Sequence, residues 1–333
     1  MSSFDLIGVG SPIMDLSARV ADDFLARHVR GDKGGMVLVD SDEMARMLSL
    51  LAGEPASTTG GSAANAAYNA ARLGLRTTFV GKLGNDDLAQ VYARRFAAAG
   101  VETSRFKRGM VPNARCLALI TPDAQRTLRT DLGAAMTLSP AEISPADFAG
   151  CRHAHIEGYL VFNQALADAV FAAARAAGCT TSIDLSSFEV VDASREWLFS
   201  QFRRGIDVVF ANEDEIRALF QDATSAFEEL ARRLAGLGVV AAVKVGKAGA
   251  WIARGDELHC IAPVAVASVV DTNGAGDAWA AGFLYGYLRQ WPLPAAGNLA
   301  SLLGAETVMH VGPIIPQSQF EVLLPRALAL GPR

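Results

Sequence analysis

No apolar run in the chain reaches the ~18 residues that a membrane-spanning helix needs; Ile261 to Val270, among the longest, stops well short. The opening residues, Met1 to Gly10, lack a basic stretch followed by an apolar run and a small-residue cleavage site, so the sequence predicts a protein that is not secreted. Cysteine is scarce. Cys116, Cys151, Cys179 and Cys260 are scattered without a Cys-x-x-Cys pair, which argues against a zinc site or disulfide framework and fits a reducing cytoplasm. Blocks of Lys and Arg are missing and the net charge is −5, so no nucleic-acid partner is expected. The five histidines form no ligand constellation; His153 and His155 alternate as on a strand and read as ordinary surface or core positions.

The 333 residues, half of them hydrophobic, suffice for one large α/β core with a minor appendage, or for two domains. Strand-like runs at Phe4–Val9, Thr78–Val80, His153–Ile156, Thr181–Leu185, Val208–Ala211 and Val239–Val245 alternate with helical patterns. The helices are expected at Ala63–Leu73, Leu88–Ala99, Leu166–Ala177, Glu213–Phe220 and Ala226–Leu237. That order predicts a mostly parallel sheet with helices on both faces. Gly74, Gly100, Gly178 and Gly238 sit just past helical stretches, where a left-handed residue ends a helix. Ile13–Asp40 and Arg115–Asp131 break the alternation and read as hairpin material. The expected organisation is therefore one core over 1–333 with a small β-lid from about 13–40 and 110–131 inserted in it.

The strongest chemical signal is Asp271-Thr272-Asn273-Gly274-Ala275-Gly276-Asp277, between the apolar run Val264–Val270, read as a strand, and the apolar helical run Ala278–Leu288. Glycines let a backbone approach phosphate closely, and the first N–H groups of a helix point at the anion with a favourable dipole. A carboxylate at that point, Asp277, suits a general base that takes the proton of an attacking hydroxyl; an Asp there also suits a plain helix cap. The commoner nucleotide motifs are absent. No Gly-x-x-x-x-Gly-Lys-Ser/Thr occurs, and Gly8-x-Gly10 and Gly274-x-Gly276 have Ile13 and Trp279 where a dinucleotide fingerprint wants its third glycine.

The Asp271–Asp277 run resembles the carboxy-terminal signature of the ribokinase-type (PfkB) carbohydrate kinase family, and Gly60-Gly61-Ser62-Ala63-Ala64-Asn65 resembles its amino-terminal signature. The resemblance implies a ribokinase-like three-layer α/β/α fold with a small β-lid, and ATP-dependent phosphorylation of an alcohol. Asp277 is then the base, with Gly274, Ala275 and Gly276 beside it. Asn212 and Glu215 resemble the Asn-x-x-Glu element that organises Mg²⁺ through its waters, and oxygen ligands suit that hard ion. Lys244, Gly246 and Gly249 resemble the strand and turn that hold ATP phosphates, together with Asp271 and Thr272, and Asn298 falls where relatives line the adenine pocket. Lys244 reads equally as a phosphate ligand or a snorkelling surface lysine. Some relatives also need a monovalent cation such as K⁺ near the Asp271 loop.

On the acceptor side, Gly10–Asp15 looks like the family's first strand with its hydroxyl-gripping Asp15. Gly60, Gly61 and Asn65 add to that subsite, and Arg126 in the lid reads as a cation closing over the phosphoryl group or as a solvated arginine. The long interval between Asp15 and Gly60 and the Asp184–Phe188 stretch resemble the adenosine kinase branch. Adenosine is therefore the expected acceptor, with Met36, Leu38, Leu132, Phe162 and Phe188 candidates to line a base slot. A sugar kinase of the ribose, fructose or 2-keto-3-deoxygluconate type, and a non-catalytic sugar or nucleotide binder, are the alternatives. A monomer or a homodimer is expected.

Overall fold

The computed structural model describes residues 3–123 and 125–332; Ala124, within the second hairpin stretch, lies outside them, as do Met1, Ser2 and Arg333. Phe4–Val9 lies third from one edge of a nine-stranded sheet. The order across it is Glu257–Ile261, Ala250–Arg254, Val240–Lys244, Val208–Ala211, Thr180–Asp184, Cys151–Glu157, Phe4–Val9, Thr77–Val80 and Val101–Glu102. Pairing is parallel from Val101–Glu102 to Val240–Lys244, and the two strands beyond are antiparallel.

Alternation of side chains feeds two cores. Ile7, Val9, Val209 and Val243 enter one, with helices Gln164–Ala176, Phe188–Arg203 and Phe227–Ala235. Leu6, Val208, Phe210 and Ala242 enter the other, with Ala275–Leu288, Leu293–Thr307 and Gln317–Leu328. Burial on both faces is why these strands read as continuous apolar runs rather than alternating ones. The chain thus has the ribokinase-like arrangement, a mostly parallel sheet between two helical layers. Gly74, Gly100, Gly178 and Gly238 all take positive φ, closing their helices as the sequence suggests.

A second sheet of five strands runs Met36–Leu38, Arg126–Asp131, Arg115–Ile120, Ile13–Arg19, Ala56–Gly60. Two expectations need correction here. Ile13–Asp40 is not a hairpin: helix Asp22–His28 separates its two strands, and two strands of the sheet lie between them. Val264–Val270 is not a strand either. It is irregular, with Val269 and Val270 more than half exposed, because the sheet already ends at Glu257–Ile261 and offers this segment no partner.

Candidate active site

The carboxyl ends of the parallel strands converge. Glu157, Asp184 and Lys244 are the last residues of their strands, and Gly10 and Asn212 follow immediately on theirs, so five neighbouring strands deliver groups to one crevice. Facing them is the start of helix Ala275–Leu288, capped by Gly274 in the left-handed region at φ 74°. An added methyl at Gly274 would lie 2.3 Å from Pro313 Cβ, so both conformation and space demand glycine.

Asp277 is the third residue of that helix rather than its cap, which corrects the capping reading. Its carboxylate turns to the neighbouring helix Ser62–Arg72 and accepts from Ser62 Oγ at 3.1 Å and Asn65 Nδ2 at 2.8 Å. Burial pushes its pKa up to about 7 and the nearby Asp184 adds to the rise, against the hydrogen bond from Asn65. A carboxylate that titrates near neutrality and is held by two donors can accept a proton from an alcohol. Asn65, expected on the acceptor's ring, is buried and bonded to Asp277 instead.

Lys244 lies across from the helix start, and a methyl added at Gly276 would sit 3.3 Å from its Nζ. Its side chain is 14% exposed and donates to Asp184 Oδ2 at 2.7 Å, so the snorkelling reading is corrected. Burial lowers its pKa, but the charges of Asp184, Glu215 and Asp277 outweigh that and hold the ammonium protonated. Gly246 (φ 41°) and Gly249 (φ 94°) shape the following turn, and a methyl at Gly249 would meet the Ile261 carbonyl at 2.1 Å. Ala275 N–H donates to the Thr272 carbonyl at 3.3 Å, tightening the Asp271–Gly274 turn.

Asn212 caps helix Glu213–Phe220, accepting from the N–H groups of Asp214 and Glu215, while Glu215 accepts from Asn212 N–H and Nδ2. Burial, with Asp184 nearby, pushes Glu215 up to about 7. Two carboxylates, Asp184 and Glu215, thus crowd one ammonium, and that excess of hard oxygen charge fits a hydrated Mg²⁺. Among the described residues no group of three or more His, Cys, Asp or Glu side chains could hold a metal by itself. Asn298 is exposed on helix Leu293–Thr307. His153 and His155 are buried and bonded to Thr180 and Ser182.

On the opposite wall, burial pushes Asp15 up to about 6, opposed by the Asn273 side chain and Arg126. A methyl at Gly60 would lie 2.5 Å from Asp15 Oδ2, and one at Gly61 (φ 99°) 2.1 Å from the Ser11 carbonyl. Buried Tyr92 donates its O–H to the Gly60 carbonyl at 2.9 Å, fixing this turn. Arg126 is partly exposed but not free. Its Nη1 bridges the two Asp271 oxygens at 2.8 and 2.9 Å, and Asp271 also accepts from the N–H groups of Asn273 and Gly312. Phe188 and Phe162 are exposed, as are Met36 and Leu38, while Leu132 is partly covered.

Three groups escaped the sequence reading. Ser62 lies inside the Gly60–Asn65 motif, and Asp184 inside the Asp184–Phe188 stretch that resembles the adenosine kinase branch. Glu157 is the third. It is 1% exposed, accepts from Ser11 N–H at 3.3 Å and Ala63 N–H at 3.4 Å, and is pushed up to about 7 by burial. The alternation His153, His155, Glu157 along one strand face was its available signal.

A carboxylate titrating near neutrality, an ammonium and an open helix start at the edge of a parallel sheet define an enzyme that moves phosphate onto an alcohol, a kinase. The chain belongs to the PfkB family of carbohydrate kinases, whose model matches residues 36–319. It is similar over 99% of its length, and all of the other chain, to a probable sugar kinase from Rhizobium etli CFN 42 (31% identity, TM-score 0.86). It is similar over 97% of its length, and 99% of the other chain, to adenosine kinase from Sinorhizobium meliloti (32% identity, TM-score 0.83). Among curated proteins, 5-dehydro-2-deoxygluconokinase from Geobacillus kaustophilus is 28% identical over 71% of this chain and 75% of that protein. The chain is a sugar or nucleoside kinase, which sets aside the non-catalytic binder. No helix among the described residues is long and apolar enough to cross a membrane.

Proposed function

We propose that this kinase phosphorylates the 5′-hydroxyl of adenosine or a close nucleoside, using ATP. The observation that carries the reading is a row across the small sheet. Strand register aligns Leu38, Thr130, Cys116 and Asp15 on one face, with Met36 beside Leu128 in the next row, so a hydroxyl-binding carboxylate and an exposed apolar edge share one surface. A nucleoside has that polarity, ribose hydroxyls at one end and an apolar base at the other. Similarity to an adenosine kinase over nearly the whole chain supports the same reading.

In this mechanism the small sheet acts as a lid and Asp15 holds the ribose hydroxyls. Asp277, ionised and held by Ser62 and Asn65, takes the proton of the attacking hydroxyl. Lys244 and the first N–H groups of helix Ala275–Leu288 receive the transferring phosphoryl group, with the helix dipole favouring its charge. Asp184 and Glu215 would hold Mg²⁺ through its waters, and the ion would neutralise charge on the ATP phosphates. The four free cysteines suit work in a reducing cytoplasm.

A sugar acceptor is the second reading, favoured by the similarity to 5-dehydro-2-deoxygluconokinase. Coupled ADP release decides between them. Adenosine should exceed ribose and fructose in kcat/KM by roughly tenfold or more, the worth of burying one face of an aromatic ring. Faster ADP release with a free sugar at equal concentration would defeat the nucleoside reading.

A further inference from the structure

The charges around the acceptor crevice do not balance. Among the described residues two cations face it, and each already has a carboxylate: Lys244 meets Asp184 at 2.7 Å and Arg126 meets Asp271 at 2.8 Å. Among the described residues, three further carboxylates surround the Gly60–Asn65 turn without a salt bridge of their own, Lys244 reaching Asp277 only through the longer-range attraction it shares with Asp184. Asp15 lies against Gly60, Glu157 accepts from the N–H groups of Ser11 and Ala63, and Asp277 accepts from Ser62 and Asn65. All the donors to Glu157 and Asp277 are neutral. Arg126 and Asp271, paired with each other, act on Asp15 with opposite signs.

Arg126 is the cation that an acidic acceptor would seek. It stands on the same sheet face as Asp15, since Arg126 pairs with Ile120, and Ile120 and Cys116 share the face on which Cys116 pairs with Asp15. Because one Nη bridges both oxygens of Asp271, the guanidinium presents its remaining N–H edge as part of a neutral pair. Its Nε is buried without a partner, a donor suited to a hydroxyl or ring oxygen.

We infer that this wall selects acceptors by charge, with Asp271 masking Arg126 and with Asp15, Glu157 and Asp277 repelling anions, so that the enzyme takes an uncharged polyhydroxyl acceptor and rejects sugar acids and sugar phosphates. The inference rests on the crevice being the acceptor site, but not on the acceptor being a nucleoside. Its physical basis is like-charge rejection: a carboxylate or phosphate placed beside these groups loses its water and gains no free cation.

The test measures ADP release by the full chain with saturating Mg-ATP. Neutral acceptors are adenosine, ribose and fructose; anionic ones are ribose 1-phosphate, 2-dehydro-3-deoxygluconate and 5-dehydro-2-deoxygluconate. Every anionic acceptor should fall at least about thirtyfold below the best neutral one in kcat/KM. Glu157→Gln, which keeps an acceptor oxygen for the N–H groups of Ser11 and Ala63, should raise the anionic-to-neutral ratio severalfold, and Asp271→Asn, which unmasks Arg126, should raise it further. If Asp271→Asn does not fold, the Glu157→Gln ratio stands alone as the test. An anionic acceptor equal to or better than the neutral set overturns the inference, and so does a ratio unmoved in a folded Glu157→Gln. Failure of adenosine alongside success of ribose or fructose would defeat the nucleoside reading and support selection by charge.

Discussion

Asp277 and Glu157 are both carboxylates pushed up to about 7 by burial, and they lead to different expectations. As the proposed base, Asp277 would act only when ionised, so kcat should rise as pH increases through about 7 as the proton is lost; a kcat that stays flat from about pH 6 to 8 would remove it as the base. Asp277→Asn should cut turnover at least ~10²-fold. Its thermal transition should not fall, because Gly274 and not Asp277 caps the helix. Glu157 makes a stability argument instead. Its folded pKa, about 7, exceeds the ordinary 4.5, so the folded protein binds the extra proton between those values. Stability is then highest below about pH 4.5 and declines as pH rises toward 7, by up to about 3 kcal/mol. Glu157→Gln should remove its share of that decline, leaving those of Asp277, Glu215 and Asp15. Denaturation series at pH 5 and 8 should show the variant gaining on the parent chain at the higher pH, and an unchanged difference would refute the assignment.

At the scale of elements, the turn from strand Ala56–Gly60 into helix Ser62–Arg72 joins the small sheet to the large one and carries Ser62 and Asn65 to Asp277. Gly61 stands there at φ 99°, where a methyl would come within 2.1 Å of the Ser11 carbonyl. Two backbones meet, and neither can rotate away as a side chain could. Gly61→Ala should therefore cost roughly 1–3 kcal/mol in urea denaturation and lower kcat through displacement of Ser62 and Asn65. Gly74→Ala is the control. It has φ 101° but open space around its Cβ, so it should show the conformational cost alone, with kcat kept.

Across the whole molecule, Arg126–Asp271 is an ion pair that reaches from the five-stranded sheet to the loop before the active-site helix. It is partly buried, and Gly312 N–H also donates to Asp271, so the loop is held from both sides. Arg126→Gln should loosen the small sheet while leaving the nine-stranded one intact. Hydrogen exchange is expected to speed up about fivefold in Arg115–Ile120 and Arg126–Asp131, the worth of roughly 1 kcal/mol for such a pair, with Phe4–Val9 unaffected. Equal acceleration in both sheets would mean that the pair supports global stability only.

The sequence by itself determined whatever depends on local pattern. Phe4–Val9, Val208–Ala211 and Glu213–Phe220 could be read because their apolar runs, helical spacing and glycine stops act over a few neighbours. The glycine turn before Asp277 was legible for the same reason, since only small residues let backbone approach phosphate. Only the tertiary structure decided the rest. Val264–Val270 has the composition of a strand and lacks a partner; Ile13–Asp40 holds a helix where the break in alternation suggested a hairpin. Asn65 came to rest on Asp277, Lys244 on Asp184 and Arg126 on Asp271, each pair distant along the chain. Hydrogen bonds and ion pairs are made between whichever groups the fold brings within about 3 Å, and burial then sets how readily Asp277, Glu157 and Glu215 ionise; neither distance nor burial is a property of a residue and its sequence neighbours.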